Sequence, residues 1–130
     1  MFQRFAAGTA IASIVVAIAA LALALTPGLT FARIYPLAIL WCCVPFAWGV
    51  WAVLTPSAWM PNRLPLWGAF LGFFAGSMGA FVLNLPSRFF GQPVSILVRA
   101  IAVLVMTLFY YLMWMLVRRA CRWLAGPTPA

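Results

Sequence analysis

The chain has 130 residues, of which 68% are hydrophobic and 6% charged, and its mean hydropathy is +1.13. All eight charges are arginines, giving a net charge of +8 with no Asp, Glu, Lys or His. That inventory excludes carboxylate proton relays, imidazole ligation of haem or zinc, Ser-His-Asp triads, paired-acid glycosidases and Schiff-base lysines, so no enzyme and no cofactor is expected. It leaves an all-α polytopic membrane protein.

The first apolar run covers 5–25. A helix needs roughly 20 residues to cross a hydrocarbon core of ~30 Å, and this run has that length. Met1 to Arg4 and Ala22-Leu23-Ala24 resemble the ends of a signal peptide, but the run exceeds a usual signal core, so retention as a membrane helix is expected. Ala6, Ala10, Ser13, Ala17, Ala20 and Ala24 form a small-residue seam along it.

The second run, 36–54, opens at Pro36, read as a first-turn proline whose missing N–H costs nothing there. Trp41, Phe46, Trp48 and Trp51 make it bulky, which suits lipid or a partner protein. Cys42 and Cys43 are adjacent and precede Pro45; two thiolates are a soft-metal donor pair, while two small packing residues are the simpler reading.

The third run, 64–85, carries Gly68, Gly72, Gly76 and Ala80 at four-residue spacing, with Gly79 beside them. Small residues in this register let helix backbones approach closely, and the seam of the first run is the expected neighbour. The fourth run, 94–117, is again bulky. Its Arg99 lies ~8 Å below the helix start at 1.5 Å per residue, within reach of the headgroup layer.

Together these make four transmembrane helices in an up-down bundle, one domain over 1–130, with short proline-rich loops and a basic tail at 118–130. With both termini cytoplasmic, Arg4, Arg63, Arg118, Arg119 and Arg122 lie inside, against Arg33, Arg88 and Arg99 outside; this bias favours a bacterial inner (plasma) membrane protein in that orientation. Arg118, Arg119, Arg122 and Trp123 then anchor the last helix in anionic headgroups.

Because no acidic side chain exists in the chain, every arginine must find negative charge elsewhere. Arg99, Arg33 and Arg88 are the candidate contacts to anionic lipid, an anionic solute or a partner's carboxylates. Arginines divided between two membrane faces do not form a nucleic-acid surface. The expected role is an accessory, assembly or stabilising subunit of a larger membrane complex, partnered by anionic lipids and by another membrane protein or further copies of itself. The alternative is a small oligomeric transporter or channel for an anionic or lipid-like solute.

Overall fold

The computed structural model describes residues 1–28 and 31–126, the side chains of 31–34 and 36 excepted, and among these residues it contains helices and no strand. The order is α1 (Phe2–Ala24), α2 (Phe31–Val53), a 3-10 turn (Ser57–Trp59), α3 (Leu64–Ser77) continued by a π-helical segment (Met78–Val82), α4 (Leu85–Phe90) and α5 (Ile96–Leu124). Three helical stretches, Phe2–Ala24, Leu64–Val82 and Ile96–Leu124, are long and apolar enough to cross a membrane; the apolar part of α2, Leu37–Val53, is shorter.

Several expected boundaries move. α2 begins at Phe31, upstream of Pro36, so this proline is not a first-turn residue. The expected 64–85 span is two pieces. After the π segment the backbone turns at Asn84, in the left-handed region at φ 52°, and Pro86 enters the first turn of α4. Asn tolerates that conformation better than most L-residues. Gly91, at φ 69°, ends α4, and Val94 N–H donates to Ser87 Oγ at 3.3 Å across the connection.

Ser95 caps α5, its hydroxyl accepting from Val98 N–H at 3.4 Å, so Pro93 stands outside the helix. At the other end α5 runs through the arginine cluster to Leu124, and the segment from 118 is therefore a helical continuation rather than a separate tail. Its 29 residues rise ~44 Å, more than the ~30 Å hydrocarbon core, so the last turns carry Arg118, Arg119 and Arg122 beyond the apolar stretch.

α3 lies along α5 and α1 along α2, and α1 also touches α5. Gln3 Nε2 donates to the Leu124 carbonyl at 3.1 Å, which places the start of α1 beside the end of α5. Trp51 and Trp67 meet at that end too, near the turn joining α2 to α3. The centre is filled by Trp48, Trp114, Leu64 and Val117, each no more than 1% exposed. The expectation that the bulky second and fourth runs suit lipid or a partner holds for Phe46, Leu108 and Phe109, which are exposed, and is corrected for Trp48, Tyr110 and Trp114, which supply the core. In a chain that is apolar on every side, bulk does not distinguish lipid from interior.

Candidate functional site

The glycine register of α3 meets α5, not the alanine seam of α1. A Cβ at Gly68 would lie inside the Trp114 ring, one at Gly72 would come 2.5 Å from Tyr110 Cβ, and one at Gly76 would come 3.1 Å from Met106 Cβ. Positions rise by four on α3 as they fall by four on α5, so the helices are antiparallel and each glycine receives one large side chain. Gly8 instead lets the backbones of α1 and α2 approach, a Cβ there lying only 2.7 Å from the Trp48 carbonyl oxygen. Spacing alone indicates that a neighbour comes close; it does not say which neighbour.

Trp48 is the junction of the two helix pairs. Its ring stands edge-on to Tyr110 at 5.0 Å and tilted against Trp114 at 5.7 Å. The Trp114 indole nitrogen and Arg118 Nε are buried without a hydrogen-bond partner among the described residues. The Thr9 hydroxyl is likewise unpartnered among the described residues, whereas three other hydroxyls are satisfied. Ser13, Thr26 and Thr107 each donate to the carbonyl four residues earlier at 2.8 Å, which satisfies them inside apolar surroundings.

α2 and α3 are clasped near their connecting turn. Trp51 Nε1 donates to the Trp67 carbonyl at 2.8 Å, Trp67 Nε1 donates to the Trp51 carbonyl at 2.9 Å, and the rings stack at 4.8 Å. Trp51 lies in the last turn of α2, where carbonyls lack intrahelical partners, so the indole supplies a missing donor. Sixteen residues apart and on different helices, the two tryptophans carry no spacing in the sequence that announces this pairing.

Away from the clasp the two helices are separated by an apolar cleft. One part, about 220 Å³, is walled by Leu37, Trp41 and Val44 of α2 and by Ala75 of α3, and floored by Trp48 and Tyr110. An adjoining part, about 270 Å³, runs between Gly79, Ala80, Leu85, Phe89, Ala102 and Met106. Leu37, Leu85 and Met106 border both, making one continuous slot. The π segment contributes to its shape by placing Gly79 and Ala80 on the wall; such widened turns recur at functional sites.

Of the cations singled out from sequence, Arg99 stands three and seven residues before Ala102 and Met106, hence on the face of α5 that lines the slot. It is half-buried, and its guanidinium has no hydrogen-bond or ion-pair partner among the described residues. Arg88 is exposed on α4, its Nε donating to the Leu83 carbonyl at 3.2 Å. The Arg33 side chain lies outside the described residues. Arg119, Arg122 and Trp123 are exposed at the far end of α5, where Arg118 is half-buried.

Cys42 and Cys43 are exposed free thiols, and Cys43 borders the cleft. The described residues contain no group of three or more metal-ligating side chains. Cys121 is half-buried, also as a free thiol. The slot therefore offers shape and mostly apolar surface, bordered by the Cys43 thiol and the Tyr110 ring, with Arg99 one helical turn from Ala102.

No family model matches the chain, and no curated protein or solved structure resembles it.

Proposed function

We propose that this chain is a four-span inner-membrane protein of bacterial type, with both termini cytoplasmic, that acts as an accessory or assembly subunit of a larger membrane complex. The observation that carries this reading is the filled centre. Trp48 and Trp114, at 1% and 0% exposure, fill the interior of the chain, where a pathway through a single copy would run. A packed interior without acidic or imidazole groups suits a protein that works by contact. Its arginines, with no anion of their own, suit acidic partner residues and anionic lipid on both faces.

A second reading, an oligomeric carrier for an anionic or lipid-like solute, draws on the lateral slot below Arg99. Native mass spectrometry after mild-detergent extraction from the source membrane separates the two. The accessory role predicts a second polypeptide in fixed stoichiometry with the chain. A symmetric homo-oligomer alone would overturn it in favour of the carrier, for which Arg99→Gln would alter anion flux in liposomes.

A further inference from the structure

We propose that the slot between α2 and the α3–α4–α5 face holds one acyl chain of an anionic phospholipid, with the headgroup phosphate on Arg99. The inference does not depend on whether a protein partner exists.

Its first support is depth. From Arg99 down to Tyr110 is eleven residues of α5, a rise of ~16 Å, close to half of a ~30 Å hydrocarbon core. The slot itself runs from Ala102 to Tyr110 on α5, ~12 Å, and with Arg99 one turn above it the two together match the depth of one leaflet. Trp48 and Tyr110 stand at its inner end, and a further apolar cavity of about 200 Å³, walled by Val15 and Ala19 of α1, borders the same two rings. A partner helix does not fit this description. With a diameter of ~10–12 Å it would need a groove along the whole bundle, whereas the Trp51–Trp67 clasp closes α2 onto α3 beyond the slot's floor.

The second support is charge. The lining is mostly apolar: Leu37, Ala75, Gly79, Leu85, Ala102 and Met106 face a hydrocarbon tail, and the polar atoms that border it belong to Cys43 and to the rings of Trp41, Trp48 and Tyr110. Arg99 lies one turn above Ala102 on the same face, half-buried and without a partner among the described residues. Arg88 adds a second cation on α4, between the slot-lining residues Leu85 and Phe89 in sequence. A guanidinium at this level meets a phosphate layer, and in a chain without acidic residues the lipid phosphate is the anion that arrives already attached to a tail. An acyl chain in the slot also covers apolar surface that the four helices leave uncovered among themselves.

The test uses the whole chain, delipidated in neutral detergent and titrated with phosphatidylglycerol or with phosphatidylcholine of the same acyl chains, the bound states being counted by native mass spectrometry. One phosphatidylglycerol should be retained about tenfold more strongly than phosphatidylcholine, and Arg99→Gln should remove that preference. Ala102→Phe, which fills the upper slot, should lower retention of both lipids at unchanged helix content. Phosphatidylglycerol with a diazirine in mid-chain should crosslink wild-type protein at Leu37, Leu85 or Met106, a readout that needs no variant. Inorganic phosphate should not displace the lipid, since it has no tail. Equal retention of the two lipids, an unchanged preference in Arg99→Gln, or crosslinks confined to the lipid-facing Leu104 and Leu108 would each overturn the proposal. So would a dimer that Ala102→Phe dissociates, because a second copy would then be the occupant.

Discussion

The ring of Trp114 occupies the space in which a side chain at position 68 would begin. Gly68 is therefore part of the seat of the most deeply buried tryptophan, and the contact couples the start of α3 to the lower half of α5. Gly68→Ala should be among the most damaging single-methyl changes in the chain, costing roughly 1–3 kcal/mol by overpacking. Gly79→Ala should be far milder, because a Cβ there meets the flexible end of Leu85 at 3.1 Å. Thermal unfolding of the two variants in one detergent gives the comparison, and equal midpoints would show that α3 is not seated on Trp114.

Trp114 itself separates volume from polarity. Trp114→Ala should cost about 3–5 kcal/mol through the cavity it leaves. Trp114→Phe leaves a smaller gap and removes an indole N–H that has no partner among the described residues, so the two effects oppose each other. The phenylalanine variant should retain most of the unfolding midpoint that the alanine variant loses.

The Trp51–Trp67 clasp joins helices that otherwise diverge. Replacing either residue by Phe keeps most of the stacking surface and deletes one hydrogen bond, for roughly 1 kcal/mol each. The double variant should lose less than the sum, since the first deletion already loosens the geometry of the second bond. A strictly additive double-mutant cycle in thermal unfolding would mean that the two bonds form independently.

Crossing number and orientation are open to direct labelling. In a cysteine-free background, Gln92→Cys lies in the α4–α5 connection, at the opposite end of the bundle from Ser57→Cys in the α2–α3 turn. A membrane-impermeant maleimide added to intact spheroplasts should modify position 92 and spare position 57. The reverse pattern would invert the proposed orientation, and labelling of both on the same side would remove a span.

Much of the helical layout was legible because apolar runs of membrane length are a strong signal: α1, the Leu64–Val82 stretch and α5 lie close to the runs read at 5–25, 64–85 and 94–117. Their details were less so. Pro36 reads as a helix start, yet a proline also fits within a membrane helix where neighbours and local adjustment compensate for its missing donor. The break at Asn84 depends on one left-handed residue, which apolar content does not register. The end of α5 was misplaced because arginines stop an apolar run without stopping a helix.

The glycine spacing was visible, but its partner was not. Trp48, Tyr110 and Trp114 could be sorted into core only after α5, rather than α1, was seen against α3. The slot was similarly hidden. The Arg99, Ala102, Met106 register is present in the sequence, yet it becomes a lined surface only when α2 and α4 supply the other walls.

The π-helical segment Met78–Val82, closed by Leu83 N–H on the Met78 carbonyl at 3.0 Å, acts as a phase shifter. Its wider turn takes in one residue more than an ordinary helical turn. A single deletion at Phe81 should therefore relax it to an α-helical turn and leave Leu85 and α4 facing Ala102 and Met106, whereas a deletion at Leu71, in the α-helical part of α3, would rotate the residues after it by ~100° about the axis.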